Sequence, residues 1–380
     1  MSEIKRILVY GLGSKVGGQE EYIMNLYRHM DHSRIVFDII PHGSPNFYAR
    51  EEVESYGGRI LPVFTQDGQF STSMLADVLD KARANHDTIY FNMCALYRLD
   101  PFLLAKKNGY ETLFVHSHNT KDPSRSRLVN MVHYINRVIV RNWAKRCFAC
   151  SVPAGEWLYG KSYFDRRIGG KCEVVPNAID LEKHSYDENA RVRVRGELGI
   201  SADAIVYVNV GRLIFQKNQS FALRVFAELL KVQSDAWLLL AGQGPDRDEL
   251  RRIASELGIE ERVRFLGVRK DVQDIMSASD LMLFPSRFEG LPLTLLEAQA
   301  AGLPVISTTR ILEPATVVDE LMITMDDVDW NPMHWCETVA EYLRTHTNGR
   351  RSYAAELASA GYDIKQLARH MQSLLLGEIA

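Results

Sequence analysis

Short, continuous apolar runs alternate along this chain with longer stretches in which apolar residues recur every three or four positions. In the first half, 5–10, 35–40, 59–63, 88–92 and 113–118 have the length and bounding residues of buried strands. Between the first two lies 19–30, where Tyr22, Ile23, Leu26, Tyr27 and Met30 fall on one face of a helix. Residues 146–151 read as one more interior strand. A polar, charged stretch up to Glu197 reads as an interdomain connection with some helix, after which the alternation restarts. Strands are predicted at 204–210, 237–241, 263–266, 281–284 and 304–307. Helices are predicted at 221–232, from about Asp246, at 292–301 and at 364–376. Strands separated by helices imply parallel sheets covered on both faces, with ligands gathering at the C-terminal strand edges.

Composition narrows the class. The length of 380 residues suggests two domains of roughly 150 residues, and 46% hydrophobic with 24% charged residues lets both build cores. A formal net charge of −3 speaks against a nucleic-acid binder. No apolar run approaches the ~18 residues of a membrane span, and the first residues lead straight into a strand, so a cytoplasmic protein is expected. Five cysteines are no disulfide framework. Cys147 and Cys150 form one C-x-x-C without a second ligand pair, and they read as small buried hydrophobes.

Candidate chemistry concentrates at the predicted strand ends. Gly11-Leu12-Gly13-Ser14-Lys15-Val16-Gly17-Gly18 is a glycine-rich loop between strand and helix, suited to a phosphate or sugar, or to a tight turn alone. Val16 stands where the dinucleotide fingerprint needs glycine, and Asp38 falls inside the second strand rather than at its end. His116 and His118 share one face of an ending strand. Arg212 and Lys217 stand at a strand exit and a helix entrance, where a diphosphate would meet two cations and helix N–H groups. Gly242-Gln243-Gly244 is a weaker turn signal. From Phe288 to Ala298, Glu289 is expected in a loop at a strand's C-terminal edge and Glu297 near the second turn of a helix that Pro292 starts and Gly302 ends. Two carboxylates for sugar hydroxyls thus flank N–H groups for phosphate.

The segment 121–146 is the most basic. It sets Lys121, Arg125, Arg127, Arg137, Arg141, Lys145 and Arg146 against Asp122, interleaved with Met131, Val132, Ile135, Val138, Ile139 and Trp143. It reads either as a half-buried helix with a solvated basic face or as an amphipathic helix lying on an anionic membrane, at the inner face of the cell membrane.

Together these motifs resemble the retaining, nucleotide-sugar-dependent enzymes of glycosyltransferase family 4. The resemblance is strongest over 204–308, through Gly211-Arg212-Leu213 with Lys217-Asn218, Gly242-Gln243-Gly244, Phe265-Leu266-Gly267, Ala278-Ser279-Asp280 and the E-x7-E run from Glu289 to Glu297. The first half matches more loosely, through Gly17-Gly18-Gln19-Glu20, His116-Ser117-His118-Asn119 and Pro176-Asn177-Ala178-Ile179-Asp180. The chain looks like capsular or exopolysaccharide glycosyltransferases of bacteria. This implies an α/β GT-B fold: two facing Rossmann-like domains, here 1–190 on the acceptor side and 191–358 for the nucleotide sugar, with a C-terminal helix, 359–380, crossing back to the N-terminal domain.

The resemblance also implies roles. Arg212 and Lys217 would grip the donor diphosphate, and Gly17 and Gly18 would let their loop approach it. Glu297 would bind the ribose hydroxyls, Glu289, with Gly290 and Leu291, the donor sugar, and the segment after Gly267 would face the base. His118 would touch sugar or acceptor, with His116 and Asn119 beside it. The implied reaction is retaining, metal-independent transfer from a nucleoside diphosphate sugar, uridine diphosphate foremost, to a lipid-linked or saccharide acceptor in polysaccharide biosynthesis. No cofactor is expected, and no D-x-D run suits a metal diphosphate. Fixed cations would stabilise the departing diphosphate. Glu289 is open as a covalent nucleophile, against same-face transfer in which a phosphate oxygen takes the acceptor's proton. One departure is 308–314, which lacks the glycines common after this strand, although Glu313 keeps the place of an acid. Competing readings are a nucleotide-sugar epimerase or sugar phosphorylase on the same plan, and a non-catalytic sugar-nucleotide-binding protein.

Overall fold

A computed structural model describes residues 4–13, 18–43, 46–119, 127–289, 291–312, 315–326, 329–346 and 349–379. In the first half the strands are β1 (Lys5–Leu12), β2 (Ile35–Pro41), β3 (Thr88–Met93), β4 (Thr112–Ser117), β5 (Arg146–Ala149) and β6 (Cys172–Val174). They form one parallel sheet in the order β2-β1-β3-β4-β5-β6. The second sheet is built from β7 (Val206–Val210), β8 (Trp237–Ala241), β9 (Val263–Gly267), β10 (Leu281–Leu283), β11 (Val305–Thr308) and β12 (Met322–Met325), in the order β12-β11-β10-β7-β8-β9. The chain divides into two compact units: residues through Asn177 with those from Ile364 onward, and Ala178–Asp363.

The apolar runs are continuous because both faces of each strand are covered. In β7, Val206, Val208 and Val210 enter one core with Leu295 and Leu296, while Tyr207 enters the other with Phe226 and Trp335. Each such buried side chain contributes roughly 1.5–3 kcal/mol of transfer free energy. The last helix, Ile364–Leu376, returns to the first unit and packs on the helix Gly18–Arg28. It buries Met371, Leu374 and Leu375, and the Gln372 side chain accepts the Asp31 N–H at 2.7 Å.

Several expectations are corrected. The run 59–63 is no strand: Ile60 makes only an isolated bridge with Ile39, and Pro62 lacks the N–H that would continue the ladder. The edge strands β6 and β12, three and four residues long, are additional to the strands predicted. The stretch up to Glu197 does carry the helix expected in it: Glu188–Leu198 belongs to the second unit, is capped by Asp187, and through Arg191 and Arg195 binds the Asp280 carboxylate. Pro292 is the N-cap of the helix Leu293–Ala300, one residue outside its first turn.

Asp38 is buried inside β2. Burial pushes its carboxyl up, but hydrogen bonds from His86, Arg6 and Arg59 outweigh this and hold it well below the usual carboxylate range.

In both sheets one strand marks a change of direction. β1 lies between β2 and β3, and β7 lies between β10 and β8, so the chain leaves to opposite sides at these strands and opens a crevice at their C-terminal ends.

Candidate functional site

In the second unit the crevice lies between β7 and β10, and two loops line it. After β7, Phe215–Lys217 makes one 3-10 turn and Asn218 stands at the N-cap position of the helix Gln219–Val232. Asn218 has φ 55°, the left-handed region, which a short amide side chain tolerates better than most. After β10, Arg287 ties the loops together: its N–H donates to the Gln216 carbonyl at 2.8 Å and its guanidinium to Asn218 Oδ1 at 3.0 Å.

Lys217 and Glu289 meet across this crevice. Lys217 Nζ donates to Glu289 Oε1 at 2.6 Å, and Gln216 Nε2 donates to Glu289 Oε2 at 3.3 Å and to the Phe288 carbonyl at 2.8 Å. The Glu289 side chain is only 9% exposed, so its charge is held largely by these donors. Arg212 is exposed and enters no ion pair among the described residues. A Cβ at Gly242 would lie 1.9 Å from the Gly211 carbonyl oxygen, which is why the ends of β7 and β8 approach so closely only with glycine there. Gly267 ends β9 and accepts the Gly242 N–H at 2.8 Å. Leu291 is half-buried and packs against the core under the site.

Glu297 lies on the helix Leu293–Ala300, and His184 Nε2 is 3.8 Å from its Oε1. Burial pushes the Glu297 carboxyl up to about 7, against the pull of Lys183. The set therefore offers a guanidinium and an ammonium for a diphosphate, and two carboxylates for hydroxyls.

The first unit carries its own cluster at the ends of β3 and β4. The His116 and His118 rings stack with centroids 4.3 Å apart, as residues on one face should. His116 is fully buried, its Nδ1 is 2.6 Å from Tyr90 Oη, and its Nε2 has no partner among the described residues. His118, past the strand end, is half-buried with Nε2 2.9 Å from Asn92 Oδ1, and Asn119 follows, also half-buried. Burial lowers His116 well below its ordinary value and His118 to about 3, so both rings are neutral.

Beside them Tyr10, Gly11, Gln19, Glu20, His42 and Asn92 line a cavity of about 350 Å³. Its floor is the β1–β3 approach, where a Cβ at Gly11 would meet the Asn92 carbonyl oxygen at 2.0 Å. Gly18 opens the helix after the glycine-rich loop. Gly17, Gly290 and Glu313 lie outside the described residues, as does the start of the basic segment, 121–126.

The segment continues as the helix Arg127–Trp143, which does not bury its apolar stripe as a half-buried helix with a solvated basic face would. His133 and Asn136 face inward, bonding the Leu96 backbone on both sides: Leu96 N–H to His133 Nδ1 at 3.0 Å and Asn136 Nδ2 to Leu96 O at 2.9 Å. Leu128, Met131, Val132, Ile135 and Val138 face outward, between 41% and 72% exposed. Cys147 is buried in the core of the first unit beside Cys172, and Cys150 packs against that core.

Sequence reasoning singled out Arg212, Lys217, Glu289 and Glu297 but not Gln216, Arg287 and Asn92, which bond to Glu289, Asn218 and His118 respectively. Gln216 and Arg287 flank motif residues, a positional hint that carries no chemistry until the loops meet. His184 was hidden inside a stretch read as a connection.

The family described as Glycosyl transferases group 1 matches residues 191–324, the part carrying Arg212, Lys217, Glu289 and Glu297. EpsF of Bacillus subtilis (strain 168), which carries a glycosyltransferase name, is 30% identical over 370 residues, covering 96% of this chain and 94% of its own. The UDP-Gal:alpha-D-GlcNAc-diphosphoundecaprenol alpha-1,3-galactosyltransferase of Escherichia coli is 32% identical over 169 residues, 42% of this chain and 43% of that one. The structure of Anabaena Alr3699/HepE in complex with UDP superposes with a TM-score of 0.76 at 19% identity, covering 98% of this chain and all of that one, and shares the GT-B fold. With likeness to EpsF running along almost its whole length, the chain belongs to the group 1 glycosyl transferases.

Proposed function

We propose that this glycosyltransferase moves a sugar, with retention and without a metal, from a uridine diphosphate donor to a lipid-linked or saccharide acceptor in polysaccharide synthesis. The observation that carries the reading is the Lys217–Glu289 pair at 2.6 Å across the β7–β10 crevice, with the unpaired Arg212 guanidinium on the same loop. A diphosphate placed there gains two cations as its charge develops, which is where fixed charge accelerates departure of the leaving group. The Escherichia coli relative is named for UDP-Gal and a diphosphoundecaprenol acceptor, and the Anabaena protein was solved with UDP, which favours the same ligand class here.

In this scheme the bond from the anomeric carbon to the diphosphate breaks, the acceptor oxygen bonds to that carbon on the same face, and the acceptor proton passes to the departing phosphate oxygen. Both Glu289 oxygens already accept hydrogen bonds, which suits a carboxylate that orients the donor sugar better than a free nucleophile. Glu297 takes the ribose hydroxyls, Leu291 borders the sugar and Gly267 the base. In the first unit, His118, stacked on His116 and followed by Asn119, is the candidate contact for a sugar or acceptor hydroxyl.

Because a lipid-linked acceptor lies in a membrane, the outward apolar face of Arg127–Trp143, followed by the exposed Lys145, rests on an anionic bilayer in this reading. The deciding experiment measures transfer from radiolabelled UDP-sugars by Arg212→Ala and Glu297→Gln. Loss of transfer with unchanged melting temperature is expected; full activity in both removes the site assignment, and donor turnover to a free epimer without acceptor would favour an epimerase.

A further inference from the structure

His184 has no role in the site described above, yet its position is unusual. The turn that holds it is local: its N–H donates to the Asp180 carbonyl at 3.1 Å, and the Lys183 N–H donates to Asp180 Oδ1 at 3.1 Å. This turn carries the imidazole to the flank of Glu297, with Nε2 3.8 Å from Oε1 and side chains only 11% and 19% exposed. Its other nitrogen, Nδ1, is buried with no hydrogen-bond partner among the described residues. Its neighbours Ile179 and Leu181 belong to the apolar core, where a hydrocarbon side chain would pack without leaving a polar atom unmet. A buried ring with an unmet nitrogen costs stability and calls for a reason.

A neutral imidazole has one N–H. If the proton sits on Nε2 it points toward the Glu297 carboxylate, and a small rotation of either side chain closes 3.8 Å to a hydrogen bond. We infer that His184 is a positioning residue for Glu297, donating from Nε2 to one carboxylate oxygen while the carboxylate receives the ribose hydroxyls of the nucleotide. The inference rests on the reading of Glu297 as the ribose acceptor. Lys183 and Asp180 are the other charged groups acting on the pair: Lys183 favours the carboxylate and Asp180 favours a protonated ring.

The test compares the affinity of the full-length protein for uridine diphosphate and for its 2′,3′-dideoxy form by calorimetry, in wild type, His184→Phe, His184→Gln, Glu297→Gln and the double variant His184→Phe/Glu297→Gln. Guanosine diphosphate and its dideoxy form are run alongside, and whichever base binds carries the comparison. Wild type prefers the ribose form, and Glu297→Gln removes that preference; if it does not, the ribose reading falls. Given that loss, His184→Phe lowers the preference roughly fivefold, the size of one hydrogen bond, without changing affinity for the dideoxy form. His184→Gln, which keeps a donor, restores most of it, and the double variant behaves as Glu297→Gln alone. An unchanged preference in His184→Phe, or equal losses for both nucleotides, overturns the inference while leaving Glu297 in its role. Failure of both nucleotides to bind wild type overturns the inference together with the reading beneath it.

Discussion

Lys217 and Glu289 neutralise each other at 2.6 Å, so a diphosphate entering the crevice competes with a carboxylate for the same ammonium. Removing the charge in Glu289→Gln should therefore free Lys217. Uridine diphosphate is expected to bind several-fold tighter, while transfer falls by about a hundredfold or more, as follows from the proposed role of Glu289 in orienting the sugar. Calorimetry and a transfer assay check the two halves; weaker nucleotide binding would mean that the pair acts as a unit on the ligand. Glu297 gives a pH signature. Its carboxyl is pushed up to about 7 by burial, and a carboxylate is the better acceptor for ribose hydroxyls, so nucleotide affinity should rise with pH across that value. Glu297→Gln should be flat over the same range, and a flat wild-type profile would exclude the linkage. Arg212, Lys217, Glu289 and Glu297 were legible in the sequence because charged side chains after apolar runs stand out. Gln216 and Arg287 were not, since each matters only through a partner on the other loop.

Elements obey backbone sterics and burial. Gly242 lies 1.9 Å, at its missing Cβ, from the Gly211 carbonyl, with φ 152°, so Gly242→Ala must part the β7 and β8 ends. A loss of at least about 1–3 kcal/mol in urea unfolding is expected, with weakened nucleotide binding. An unchanged unfolding midpoint would show that the strand ends have slack. The helix Arg127–Trp143 makes the opposite kind of prediction, because its stability should not depend on the apolar residues it exposes. Leu128→Asp with Ile135→Asp should leave the melting temperature within about a degree or two while reducing sedimentation with anionic vesicles. Added salt should weaken wild-type binding as well. Absence of wild-type vesicle binding would remove the membrane role. The sequence pattern could identify this helix as amphipathic, but not which face turns inward. That depended on the Leu96 backbone, which needed the polar groups of His133 and Asn136 more than the core needed another leucine.

At the scale of the whole molecule, acid sensitivity follows from buried histidines. His118 and His184 titrate at about 3 and about 4 in the folded protein, His116 also well below its ordinary 6.5, all mainly through burial. Below pH 6.5 the unfolded chain therefore binds more protons than the folded one, and stability falls as pH drops through this window. Glu297 acts oppositely: its raised carboxyl makes stability fall as pH rises from 4.5 to about 7. These three rings, with His42 and His133 lowered by burial in the same direction, outweigh Glu297 and predict a net loss on acidification from pH 6.5 toward about 4, read as a falling urea midpoint. A midpoint constant over that range would show that the rings gain protons without unfolding.

The sequence by itself determined the strand and helix alternation, the parallel class of both sheets and the strand ends where chemistry gathers, because these depend on local periodicity and on residues a few positions apart. Tertiary structure alone decided that β10 lies beside β7, which brings Glu289 to Lys217, that His118 rather than His116 reaches the surface, and that His184 faces Glu297. Each of these is a meeting between distant parts of the chain, set by how whole elements bury their apolar faces, and no single segment's pattern contains it.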